Sequence, residues 1–264
     1  MMLLFLDTET SDLIKGGLPL DDASQPHLAQ LALVLTDDEG KRVSTFCAPV
    51  HPYTWKMSPA ATAVNGLSDE YLHERGLPLV DVLHVYRCFS SLASRIVAHQ
   101  AAFDRKMLDI ELSRLQLPLS SNEWFCTKLA TTNILKLPPA PRRTTHKWPT
   151  LDEAHHYYFG VGVAGAHDAL VDAEACMRVY FALKRQHPEV VEMTQNPDDK
   201  MGKVLQEALD SAGSHVADMG KAALDAVEGI LKQANEAMPN EEGLKDIARG
   251  LGVDFGGEKK PDGE

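Results

Sequence analysis

The sequence predicts an α/β protein: a mixed sheet whose first three strands are antiparallel and whose later strands are parallel, flanked by helices and followed by a helical C-terminal appendage. Three observations carry this expectation. The chain starts on an unbroken apolar run, Met1 to Leu6, too short to cross a membrane and suited to a buried central strand. Two alternating segments, His27 to Leu35 and Arg42 to Val50, flank the turn chemistry of Asp37-Asp38-Glu39-Gly40. Further on, a helical stripe of Val82, Leu83, Tyr86, Phe89 and Leu92 leads into the short apolar strand Arg95-Ile96-Val97-Ala98, after which a helical pattern resumes.

The remaining elements follow from local signals. Ser11 to Pro26, with Gly16-Gly17 and two prolines, reads as a loop. Ser58-Pro59 opens a helix that Asn65-Gly66 closes, and Ser68 caps a second short helix. After His99-Gln100, a helix carries Phe103, Met107, Leu108, Leu112 and Leu115 as its apolar positions. Trp124-Phe125-Cys126 forms the last strand, and Thr127 is the expected cap of a helix to about Leu135. Thr150 caps a helix from Leu151, in which the adjacent His155 and His156 fall on different faces.

Composition narrows the class. The chain has 264 residues, of which 44% are apolar, enough for a sizeable core. Its opening run has no basic residues before it and acids directly after it, unlike a signal peptide, so a cytoplasmic protein without membrane spans is expected. Cys47, Cys88, Cys126 and Cys176 form no Cys-x-x-Cys pair, which points to reduced, mostly buried thiols rather than zinc ligands or disulfides. From Pro188 onward there are 8 Lys+Arg against 17 Asp+Glu, a net of -9, leaving 18 against 21, a net of -3, for residues 1 to 187. That difference places a domain boundary at 187/188. An acidic protein does not attract a polyanion at long range, so a nucleic-acid substrate needs a basic patch, metal ions or a recruiting partner.

The chemistry concentrates in four acids. Asp7 and Glu9 end the first strand, and because strand residues alternate faces both project to one side while Thr8 points to the other. Asp104 lies at the start of a helix after a buried strand, where open α/β sheets bind ligands; taken alone it reads as a solvated acid favoured by the helix dipole. Asp168 caps a helix, placing His167 just outside it and Asp172 one turn in. Four carboxylates converging at strand ends repel one another. Two Mg²⁺ or Mn²⁺ ions roughly 3.5 to 4 Å apart would neutralise them and clamp the attacking and leaving oxygens of a phosphodiester. A nearby histidine can take the proton of an attacking water, so the chemistry implied is hydrolysis.

Asp7-Thr8-Glu9-Thr10, His99-Gln100-Ala101-Ala102-Phe103-Asp104 and His167-Asp168-Ala169-Leu170-Val171-Asp172, in this order, resemble the motifs of the DEDDh exonuclease superfamily. That superfamily includes the proofreading epsilon subunit of bacterial DNA polymerase, ribonuclease T and oligoribonuclease. The similarity spans about residues 1 to 185, including Asn65-Gly66-Leu67-Ser68, which is similar to the family's His-Gly-Ile segment. It implies a ribonuclease H-like fold and release of nucleoside 5′-monophosphates from 3′ ends of single-stranded DNA or RNA. It also implies that Asp7 bridges two metal ions, that Glu9, Asp104 and Asp172 complete the ligands, and that His167 is the general base. A sister subclass has Tyr four residues before the last Asp; that position is Asp168 here and His167 lies five before, which favours the histidine subclass. Two departures stand out. Gln100 replaces the family's Asn, and Ser11-Asp12 replaces a common glycine, altering the loop in which Thr10 and Leu13 are candidate substrate contacts.

Pro138 to Pro149 cannot be regular structure and is the most basic stretch of the chain. Arg142, Arg143 and Lys147 are its candidate phosphate contacts, and Trp148 is either a stacking platform for a base or a ring folded onto the core. In the extension from 188 to 264, apolar residues recur with helical period between about Lys200 and Met238, interrupted by Gly213, Gly220 and Gly229. Such a stripe folds back, self-associates or binds a protein partner. Residues 255–264 have the composition of a disordered end. A non-catalytic adaptor with a nuclease-like scaffold is the alternative reading, disfavoured because a scaffold has no use for a costly carboxylate cluster; an endonuclease of related fold is a third.

Overall fold

The computed structural model describes residues 1–139 and 145–192. Arg142, Arg143, the stripe expected over 200–238 and the end expected to be disordered lie outside the described residues. Strands β1 (Met2–Thr10), β2 (Leu28–Asp37) and β3 (Arg42–Pro49) come first, then helices α1 (Pro59–Asn65), α2 (Asp69–Arg75) and α3 (Leu79–Leu92). Strand β4 (Arg95–Ala98), α4 (Ala101–Arg114), β5 (Glu123–Cys126), α5 (Thr127–Leu135), α6 (Leu151–Phe159), α7 (Ala169–Gln186) and α8 (Pro188–Glu192) complete the order.

The five strands form one sheet in the order β3-β2-β1-β4-β5. β1 pairs antiparallel with β2 and parallel with β4, so Phe5 lies opposite Val34 on one side and Val97 on the other. β2 pairs antiparallel with β3, and β4 parallel with β5, as the mixed sheet read from the sequence requires. A central strand covered on both faces needs apolar residues at every position, which explains the unbroken run in β1. Leu4 and Leu6 enter a core with Val82, Leu83, Tyr86, Met107 and Leu108 of α3 and α4. Leu3 and Phe5 face the other way, onto Ala173, Cys176, Val179, Tyr180 and Leu183 of α7. The Phe5 ring meets Tyr180 edge-on at 5.4 Å and Phe181 at 5.6 Å.

Local chemistry sets the ends of the helices. Ser58 and Ser68 accept the N–H groups of Ala61 and Tyr71, and Gly66 closes α1 at φ 72°. Thr150 and Glu153 form a reciprocal capping box, and Asp168 caps α7 by accepting from Leu170 and Val171. Thr127 departs from the sequence reading. The cap position of α5 is Cys126, and Thr127 is the first helical residue, its buried hydroxyl turned to His99 instead. Leu115 also falls outside α4, at its C-cap, and is partly exposed. All four cysteines are free; Cys126 and Cys176 are buried, Cys47 is half-buried and Cys88 exposed. Among the described residues no helix is long and apolar enough to cross a membrane.

Two polar anchors tie the frame together. Glu111 of α4, fully buried, accepts the Leu28 N–H at 2.9 Å and pairs with Arg114 at 3.1 Å, while Arg114 donates to the carbonyls of Gln25 and Pro26. This pins the first residue of β2 opposite Thr10, the last of β1. Arg95 donates to the Val191 carbonyl at 2.8 Å, and Val191 is buried in the α7-side core, so the packed structure continues past residue 187 through α8.

Phe5→Ala removes a ring from a close-packed site and is expected to destabilise the protein by about 3–5 kcal/mol in urea unfolding. Ser58→Ala, losing one cap hydrogen bond, is expected to cost only about 1 kcal/mol in the same measurement.

Candidate active site

The carboxyl end of β1 is where the two faces of the sheet meet their polar groups. The parallel pairing with β4 ends at Phe5 and Val97, so beyond it the edge of β1 is open to side chains from the following helix. Asp104, in the first turn of α4, uses it. Its Oδ1 accepts both the Thr8 backbone N–H at 3.1 Å and the Thr8 hydroxyl at 2.9 Å. Only 3% of Asp104 is exposed, so the solvated-acid alternative does not hold. On the antiparallel side the register shifts between Glu9 and Thr10, which pair with Gln30 and Leu28. A bulge at this point lets the strand end turn its side chains, a common device beside active sites.

Glu9 is held by α1. The Asn65 amide oxygen accepts the Leu67 N–H at 3.1 Å, which turns the amide nitrogen toward β1. That nitrogen donates to the Thr10 carbonyl, at 3.4 Å, and to the Glu9 carboxylate. α7 supplies the fourth acid, seated by the bond from the Ala169 N–H to the Gln30 side-chain oxygen of β2. Asp172 Oδ2 accepts the His167 backbone N–H at 3.1 Å, while Oδ1 is buried with no hydrogen-bond partner. His167 sits at φ 70°, a left-handed conformation uncommon for a residue with a side chain, and is itself exposed. One ligand atom each of Glu9, His167 and Asp172 lies within 4.8 Å of the others.

Electrostatics show how closely the acids are gathered. Burial, then the charges of Asp104, Glu9, Asp172 and Asp168, push the Asp7 carboxyl well above the usual range. Burial also lifts Glu9 to about 7 against its bond from Asn65, and Asp104 to about 7 against its two bonds from Thr8. Asp172 is raised by burial, with the His167 backbone opposing. The acids and His167 thus come together as the sequence suggested. Four acids gathered at the end of β1, together with an orphaned buried oxygen on Asp172, form a donor set of the hard oxygen type that divalent cations take.

The outlying candidates separate. Thr10 closes β1, its hydroxyl donating to the Asp12 carbonyl at 2.8 Å. Leu13, in the next loop, is 78% exposed. The Lys147 ammonium pairs with Glu153, and Trp148 is 54% exposed rather than folded into the core. Sequence reading assigned no site role to Thr8, and placed Asn65 at a helix end and in a family-like segment. Asn65 had a local signal, since Asn before Gly at a helix end often serves a nearby backbone, but Thr8 had none.

A buried central strand thus ends in a carboxylate cluster, completed by acids from two following helices and a histidine. A family model described as an exonuclease, RNase_T, matches residues 4–180, and the chain belongs to that exonuclease family, within the DEDDh superfamily. No curated protein matches the chain. Among solved structures, the chain is similar to the zinc-bound complex of E. coli exonuclease I with single-stranded DNA, at 18% identity and TM-score 0.58. It is likewise similar to E. coli exonuclease I bound to a dT13 oligonucleotide, at 17% identity and TM-score 0.57. Each alignment covers 72% of this chain and 42% of the other, so the chain spans well under half the length of the solved structures it matches. The likeness establishes the ribonuclease H-like exonuclease fold.

The pH dependence follows in sign. Carboxyls at about 7 keep protons that the unfolded chain, with ordinary values near about 4, has released. Their stabilising contribution is therefore complete below about pH 4 and lost as pH rises through about 7. Without divalent ions, thermal melts should show this contribution falling between about pH 5 and pH 8. Because binding requires ionised ligands, Mg²⁺ or Mn²⁺ should raise Tm more at the higher pH, and Asp104→Asn should shrink that difference. An ion effect equal at both pH values would contradict the assignment.

Proposed function

We propose that this protein is a metal-dependent 3′-5′ exonuclease that removes nucleoside 5′-monophosphates from the 3′ ends of single-stranded DNA or RNA. The observation that carries this reading is the convergence of Asp7, Glu9, Asp104 and Asp172 on the end of β1, with His167 beside Glu9 and Asp172. The four acids would hold two Mg²⁺ or Mn²⁺ ions. Bound there, divalent ions supply charge neutralisation, polarisation of the phosphoryl oxygens and a more acidic attacking water.

The chain's own residues do the rest. Thr8 and Asn65 orient Asp104 and Glu9 through neutral donors, leaving the acids' charge for a cation. His167, exposed beside Glu9 and Asp172, is assigned to accept the proton of the attacking water, a role supported by its backbone bond to Asp172. Thr10 and the exposed Leu13, next along the chain, are assigned to the terminal nucleotide. The single-stranded DNA held by the E. coli exonuclease I structures supports a single-stranded substrate.

The test is hydrolysis of a 5′-labelled single-stranded oligonucleotide with Mg²⁺ or Mn²⁺. A ladder shortening from the 3′ end is expected, with a covalently closed circular strand left intact. Asp7→Asn should be nearly inactive, and His167→Ala should lose about 10²–10⁴-fold in kcat. Wild-type rates in both variants, or cutting of the circle, would sink the reading.

A further inference from the structure

Two residues of the second motif, His99 and Gln100, take no part in the chemistry above, yet they sit between β4 and the helix that carries Asp104. His99 is buried. Its Nε2 faces the Pro149 carbonyl at 3.1 Å and must donate to it, because a carbonyl only accepts. Nδ1 is then the acceptor, facing the Thr127 hydroxyl at 3.0 Å. Burial pushes this imidazole down to about 4, so the neutral form and both bonds persist at neutral pH. His99 thereby clasps the chain at the residue directly after Trp148.

Trp148 is held with most of its indole outside the core. Lys128, second residue of α5, donates its backbone N–H to the His99 carbonyl at 3.1 Å and carries its ammonium over the Trp148 ring, 5.5 Å from the centroid. The same ammonium donates to the Gln100 side-chain oxygen at 2.6 Å. Neither indole nor amide carries charge, so the cation is not neutralised by these partners, in contrast to Lys147 with Glu153. The assembly borders the acid cluster, because the Gln100 carbonyl accepts the Asp104 N–H at 3.4 Å, one helical turn away.

An aromatic face beside a cation is the means by which proteins hold single strands without reading sequence: the ring stacks on a base and the cation meets a phosphate. We propose that Trp148 and Lys128 form a nucleotide-binding platform for the single strand as it leaves the reacting phosphate, one indole face covered by Lys128 and the other taking a base. This rests on the nuclease reading and extends it to the strand beyond the terminal nucleotide. It also gives a chain of net charge -12 a local cation and a π-face with which to hold a polyanion.

The experiment titrates the full-length protein without divalent ions with fluorescein-labelled oligothymidylate, and compares turnover of the oligonucleotide with that of thymidine 5′-monophosphate p-nitrophenyl ester, which has no second nucleotide. Trp148→Ala is expected to weaken oligonucleotide binding about 10-fold, with Trp148→Phe recovering most of the loss. Lys128→Ala should weaken binding and lower the salt slope by about one ion, while Lys147→Ala changes affinity less. For both platform variants the loss in kcat/KM on the oligonucleotide should exceed that on the mononucleotide ester about 10-fold. Wild-type affinity in Trp148→Ala and Lys128→Ala, equal losses on the two substrates, or a larger effect at Lys147 than at Lys128 would each overturn the platform. A wild-type protein that binds and cleaves no oligonucleotide would overturn the nuclease reading with it.

Discussion

Mutual repulsion among four carboxylates at one strand end is the constraint around which this molecule is built. Like charges brought together away from bulk water raise one another's pKa, and here all four acids are shifted upward with burial as the leading cause. Such an arrangement survives only on a rigid support. β1 provides it by being apolar on both faces, wedged between α3 and α4 on one side and α7 on the other, so the strand end cannot relax to spread its acids. The hydrogen-bond donors around the cluster are mostly neutral: the Thr8 backbone and hydroxyl, the Asn65 amide and the His167 backbone. Neutral donors orient an acid without consuming its charge.

Topology explains why distant parts of the chain arrive at the same place. The order β3-β2-β1-β4-β5 sets β1 in the middle, so the helices after β4 and before the C-terminal extension approach its carboxyl end from opposite faces. Asp104 comes from the α4 face and Asp172 from the α7 face. The Glu111 and Arg114 anchor under Leu28 holds β2 against β1 to its last residue, Thr10, with a register shift just after Glu9.

Much of this was legible in the residues themselves. The unbroken run before Asp7 announced a strand covered on both sides, and strand alternation placed Asp7 and Glu9 together because the period of two is a property of extended backbone. Caps at Ser58, Ser68, Thr150 and Asp168 were readable since their partners lie within three residues. What escaped notice depends on contacts between remote segments. Thr8 meets Asp104 across 96 positions, and His99 reaches Pro149 across 50, with no local pattern to betray either pairing. Thr127 looked like a cap and is instead drawn into the core by His99, a tertiary bond overriding a local preference. Lys147 attracted attention for its basic neighbourhood, but Glu153 lies one turn into the next helix and claims it.

Asp172 links two tasks that are usually assigned to separate groups. One oxygen steadies the unusual backbone turn that presents His167, while the other stays bare and buried within the cluster. Lengthening that side chain by a single methylene, the mildest exchange available to an acid, would displace the His167 turn and the buried oxygen together. Any change in how this carboxylate is seated is therefore transmitted at once to the left-handed turn that presents the imidazole.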